Sequence, residues 1–122
     1  MISNILIAED EVRIRTLLKM YLEREHYDIE ESDNGLDALS KALNKDYAAI
    51  LLDVFMPGKD GLSVLKELRL HKDTPVIILT AQGSEKDRSE GLSMGANAYL
   101  LKPFSPKDVV STVKEVLKNK SC

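Results

Sequence analysis

The chain has a single cysteine, Cys122, and it is the last residue, which excludes a disulfide framework or a cysteine-based metal site within one chain. Histidine is nearly as scarce. His26 and His71 stand far apart, each among charged residues and in no metal-binding spacing, and they read as solvated helix-end residues. Basic charge is not in excess either: 17 Lys and Arg face 20 Asp and Glu, for a formal net charge of −3 and a pI near 5.4. Direct nucleic-acid binding by this segment is therefore not expected, because capture of a phosphate backbone needs clustered cations. No stretch approaches the roughly 20 apolar residues of a spanning helix. Met1 to Ala8 lacks the basic start and small-residue cleavage site of a secretory signal. The expectation is a cytoplasmic chain without a membrane partner.

What is present is enough for one core. With 122 residues, 43% hydrophobic and 30% charged, residues 1–122 are expected to form one domain, with no effector domain in the chain. Five strand-length runs recur: Ile5 to Ala8, Asp28 to Ser32, Ala48 to Leu52, Val76 to Leu79 and Ala98 to Leu101. The first, third and fourth are continuously hydrophobic, as strands covered on both faces are, whereas Asp28 to Ser32 is polar enough for an edge. Helical spacing separates them, in Ile14, Leu17, Leu18, Tyr21 and Leu22, in Leu36, Leu39 and Leu43, in Leu62, Leu65 and Leu68, and in Val109, Val110, Val113, Val116 and Leu117. These stripes are expected to face the sheet. Asp60-Gly61 and Ser105-Pro106 supply helix starts. Ser84 to Met94 is almost wholly polar and is interrupted by Gly91, so its docking is expected to be the weakest and the helix mobile. The alternation predicts an α/β fold, a doubly wound five-stranded parallel sheet of order 2-1-3-4-5 with five helices.

In such a sheet the chemistry lies outside the carboxyl ends of the strands. There the sequence places Glu9-Asp10 after the first strand, Asp53 after the third, Thr80 after the fourth and Lys102-Pro103 after the fifth. Three carboxylates within a few ångströms repel one another by an amount on the order of kilocalories per pair, so positive charge is required. Oxygen-only ligands favour a hard cation, and a site open to water and phosphate favours Mg²⁺ over Ca²⁺. Lys102 adds a fixed charge. A carboxylate in that company is suited to attack phosphorus and form an acyl phosphate.

These residues, with Met56-Pro-Gly-Lys-Asp-Gly61, Thr80-Ala81, Gly95-Ala96, Tyr99 and Lys102-Pro-Phe104, resemble the receiver domain of two-component response regulators over essentially the whole chain. The resemblance implies that Asp53 accepts a phosphoryl group from a sensor histidine kinase. It implies Mg²⁺ held by Asp10, Asp53 and the backbone carbonyl of Phe55, with Glu9 acting through a bound water. Thr80 and Lys102 would hold phosphoryl oxygens, Ala81 would leave the group space, and Thr80 and Tyr99 would form the switch. Lys102-Pro103 is expected to be cis, as in the family. Glu9 stands where the family usually has Asp, a change expected to shift metal affinity without abolishing it. Phe55 and Gln82 occupy positions that influence dephosphorylation, and an apolar Phe55 cannot orient the attacking water, so slow hydrolysis is expected. The domain would phosphorylate itself and slowly dephosphorylate, without acting as a multiple-turnover enzyme.

The stretch from Thr80 to Phe104, with Gly83, Asp87-Arg88 and Gly91-Leu92, most resembles the winged-helix transcription-factor branch of that family. This implies a DNA-binding effector domain in a longer parent chain and dimerisation through the fourth helix, fifth strand and fifth helix. Arg88 and Asp108 match one intermolecular ion pair. Asn97 and Ala98 replace an acidic pair and Thr112 replaces a basic partner, so a monomer or a weak phosphorylation-dependent homodimer is expected. Other readings fit less well. A haloacid-dehalogenase-type phosphatase needs an acid two residues beyond the nucleophile, where Phe55 stands. A flavodoxin-like carrier needs a hydroxyl-rich phosphate turn in place of Glu9-Asp10, and a pseudo-receiver would have lost the acceptor or the lysine.

Overall fold

The structure, a computed structural model, describes residues 3–81 and 85–120. The positions noted above at Gln82, Gly83, Ser84 and Cys122 lie outside the described residues. Strands and helices alternate as β1 (Asn4–Ala8), α1 (Val12–Arg24), β2 (Asp28–Ser32), α2 (Gly35–Asn44), β3 (Ala49–Asp53), α3 (Gly61–Arg69), β4 (Val76–Ala81), α4 (Glu85–Ser93), β5 (Ala98–Lys102) and α5 (Pro106–Lys120). The strands form one parallel sheet of order β2-β1-β3-β4-β5, as expected from the sequence.

The strand period of two divides the core into two layers. Leu6, Ala8, Ile50, Leu52, Val76 and Ile78 pack with Ala38 and Leu39 of α2 and with Leu62, Leu65 and Leu68 of α3. Ile5, Ile7, Leu51, Ile77 and Leu79 point the other way, onto Leu18 and Leu22 of α1 and Val109, Val113 and Val116 of α5. Two of the predicted stripe positions differ: Leu17 is exposed, and Leu36 is 60% exposed. Both lie on the flank of their stripes. Leu36 sits at the first turn of α2, where it lies over Gly58 of the β3–α3 connection rather than over the sheet.

Caps fix where the helices begin. The Asn34 side chain accepts from the Asp37 N–H at 2.8 Å, and Asp60 accepts from the Ser63 N–H at 2.9 Å. Ser105 and Asp108 exchange bonds at the start of α5. His26 and His71 are exposed beside the ends of α1 and α3, and His26 has φ 69° just past the α1 C-cap.

The fourth helix has the polar character its sequence announced. Among its described residues only Gly91 is buried. Gly91 nevertheless does more than interrupt the helix: a Cβ there would lie 3.1 Å from Ile78 Cγ1, so the missing side chain lets α4 approach β4.

Candidate functional site

The parallel topology carries the ends of β1, β3, β4 and β5 to one edge of the sheet. The ladder pairing sets Ala8 beside Leu52, Asp53 beside Leu79, and Ala81 beside Lys102. One carboxylate oxygen from each of Glu9, Asp10 and Asp53 lies within 4.8 Å of the other two. Glu9 and Asp53 are buried, and Asp10 is exposed at the mouth of the group. Lys102 Nζ is 2.8 Å from Glu9 Oε1 and 3.3 Å from Asp53 Oδ2. The lysine thus bridges two carboxylates from different strands, and the peptide after it, Lys102-Pro103, is cis.

The electrostatics are unbalanced. One ammonium faces three carboxylates, and burial pushes the Glu9 carboxyl above its ordinary range, aided by its contact with Asp53 and opposed by Lys102. For Lys102, burial acts to lower the pKa, but the bond to Glu9 and the charges of Asp53 and Glu9 outweigh it and hold the ammonium above its usual value. Glu9 Oε1 is fully buried and close to Lys102, yet it receives no hydrogen bond of good geometry. A hard oxygen donor set, excess negative charge and this under-satisfied oxygen together fit a divalent cation held by Glu9, Asp10 and Asp53.

The remaining predicted residues are nearby, with differing engagements. Thr80 is fully buried on β4, and its hydroxyl donates to the Ala81 carbonyl at 3.3 Å. Ala81 is exposed at the strand end. Phe55 is 61% exposed, while its backbone N–H donates to Asp53 Oδ1 at 3.4 Å. The Phe55 main chain is therefore at the site and its ring in solvent. Tyr99 is half-buried on β5 with the Arg88 guanidinium 4.3 Å from its ring centroid.

Arg15 is a neighbour that no motif marks. From α1 its Nη1 donates to the Glu9 carbonyl at 2.8 Å, and its Nε pairs with Glu31 Oε1 of β2 at 3.1 Å. In the sequence it is one charged residue among several on an amphipathic helix. Its only signal is that it stands one turn into the helix that follows Glu9-Asp10.

Comparison with known proteins agrees with this geometry. The family model of the response regulator receiver domain matches residues 5–114. The transcriptional regulatory protein ResD of Bacillus subtilis is 50% identical over 119 residues, which are 98% of this chain and 50% of that protein. The transcriptional regulatory protein SrrA of Staphylococcus aureus is 52% identical over 118 residues, 97% of this chain and 49% of that protein. The chain thus spans about half the length of these curated relatives. A CheY-like response regulator receiver domain protein from Methanospirillum hungatei superposes with a TM-score of 0.93 at 29% identity, covering 99% of this chain and 98% of that one. With the family's matched span extending from β1 into α5 and the acidic edge assembled within it, the chain belongs to the response regulator receiver domains.

Proposed function

We propose that Asp53 is the phosphoacceptor of a signalling switch and that a sensor histidine kinase is the donor. The observation that carries this reading is the meeting of Glu9, Asp10 and Asp53 with Lys102 Nζ at one sheet edge. An Asp53 oxygen attacks phosphorus, the phosphorus–nitrogen bond of the phosphohistidine breaks, and the phosphoryl group ends on Asp53 as an acyl phosphate while the histidine takes up a proton.

Asp10, Asp53 and the Phe55 carbonyl are the residues to hold Mg²⁺, with Glu9 behind them. Bound Mg²⁺ supplies positive charge against the phosphoryl oxygens as they approach a carboxylate. Lys102 is expected to exchange its hold on Glu9 and Asp53 for a phosphoryl oxygen, so its present pairing stores the cation where it is needed. Thr80 donates to another oxygen by turning its hydroxyl from the Ala81 carbonyl. Movement of Thr80 frees space for Tyr99, and Tyr99 in turn changes the α4–β5–α5 face. That face would act on a DNA-binding effector domain in a longer parent chain in the cytoplasm, as a monomer or a weak phosphorylation-dependent dimer.

The test is incubation with acetyl phosphate and Mg²⁺, followed by mass spectrometry. The parent chain is expected to gain one phosphoryl group and Asp53→Asn none. An Asp53→Asn chain phosphorylated at the parent rate would overturn the assignment.

A further inference from the structure

Every polar group of Glu9 has a neighbour within the chain, although Oε1 receives no hydrogen bond of good geometry. Its N–H extends the β1–β2 ladder to the Ser32 carbonyl at 3.0 Å, Oε2 accepts from the Glu11 N–H at 3.3 Å, and Oε1 meets Lys102. Its carbonyl lies past the end of β1 and before the first turn of α1, in a residue that is fully buried. A buried carbonyl without a partner is costly, and here the partner is Arg15 Nη1.

Arg15 is itself braced. Its side chain is 17% exposed, and Glu31 Oε1 receives its Nε while Glu31 Oε2 pairs with Lys19 at 3.4 Å. Glu31 is fixed in turn, because it pairs in register with Ile7 and its carbonyl accepts from Lys41 Nζ at 2.6 Å. A guanidinium fork spans two acceptors at once, so a single side chain ties the turn after β1 to the edge strand β2.

We propose that Arg15 is a positioning residue of the divalent-cation site. By gripping the Glu9 carbonyl while braced on Glu31, it fixes the turn that presents the Glu9 and Asp10 carboxylates toward Asp53. The inference rests on the reading of those three carboxylates as a Mg²⁺ site. It differs from a purely electrostatic role in sign. Removing a cation near a cluster of carboxylates favours binding of another cation, whereas loosening the ligands' support weakens it. A merely structural role would lower the melting temperature and leave the affinity unchanged.

The experiment is calorimetric titration of Mg²⁺ into the whole chain and its Arg15→Ala, Arg15→Met and Arg15→Lys variants at fixed ionic strength. Melting temperatures without divalent cation are measured in parallel. Arg15→Met keeps the apolar stem and loses the grip. It and Arg15→Ala are expected to weaken Mg²⁺ binding by on the order of tenfold. Arg15→Lys reaches one acceptor but not both, and an intermediate affinity is expected. Unchanged or tighter binding by Arg15→Met overturns the proposal, whatever its melting temperature. If neither truncated variant folds, Arg15→Lys decides, and parent-like affinity there overturns it. Absence of Mg²⁺ binding by the parent chain overturns the cation-site reading itself and this inference with it.

Discussion

Glu9 carries a carboxylate where burial opposes its charge, and the neighbours that help and hinder it can be ranked. Burial is the largest influence, contact with Asp53 adds to it, and Lys102 offsets part. Phe55 is the opposite case, an apolar ring left 61% exposed two residues after Asp53, the proposed acceptor. An apolar ring neither donates to nor accepts from an attacking water, so the acyl phosphate on Asp53 is expected to hydrolyse slowly. Replacing Phe55 with Asn supplies a donor and an acceptor at the same place. We expect Phe55→Asn to shorten the phosphoryl lifetime by about tenfold, within the range that one well-placed polar group contributes. Decay of phosphorylated protein after removal of acetyl phosphate measures it, and an unchanged or longer lifetime would count against a role for the ring. The meeting of Glu9, Asp10, Asp53, Thr80 and Lys102 at one edge was legible because each stands at or just past the end of a strand-length run, and strand ends meet in a parallel sheet. The double contact of Lys102 and the reach of Arg15 were not, because long side chains choose partners from tertiary geometry that strand alternation does not encode.

At the scale of elements, the connection from β3 to α3 decides where Asp53 sits. Gly61 opens α3, donates its N–H to the Val54 carbonyl at 2.8 Å, and lies so close to β3 that a Cβ would fall 2.1 Å from the Asp53 carbonyl oxygen. That neighbour is backbone, so the strand or the helix must shift. Gly61→Ala is expected to cost about 3 kcal/mol of stability, at the upper end of overpacking penalties, although alanine is the better helix former. Chemical denaturation of the unphosphorylated chain checks this, and a loss under about 1 kcal/mol would mean that the connection yields easily. Sequence periodicity located four of the five helices, and α4 was read from its place in the strand–helix alternation, yet periodicity assigned Leu17 and Leu36 to faces that the structure leaves exposed. Periodicity gives the direction of a stripe, while burial at its flank depends on which element lies opposite. Similarly, Gly91 read as a weakness in α4, and only the distance to Ile78 gives it a role in docking.

For the whole molecule, the proposed association runs through α4, β5 and α5. The family resemblance implies that part of an intermolecular ion-pair set is missing, and in the structure the two matching residues, Arg88 and Asp108, and the replacement Asn97 are already engaged within the chain. Arg88 stacks on Tyr99 and pairs with Glu85 at 3.4 Å. Asp108 caps α5, and Asn97 Oδ1 accepts from the Val76 N–H at 3.0 Å and from Arg69 Nη2 at 3.2 Å. Releasing these contacts offsets whatever an intermolecular pair supplies, and an exposed pair supplies only about 0–1 kcal/mol. Leu92 and Leu101, each 40% exposed, leave some apolar surface on this face. The expected outcome is a monomer without phosphorylation and a weak dimer once beryllofluoride and Mg²⁺ are added, read by sedimentation. Movement of Tyr99 would break the stack and free Arg88 for a partner, which couples association to the acceptor chemistry. Arg88→Ala is accordingly expected to weaken the induced dimer by about two- to fivefold while leaving phosphorylation of Asp53 intact. A tight dimer of the unphosphorylated chain, or an induced dimer unaffected by Arg88→Ala, would show that association uses a different surface.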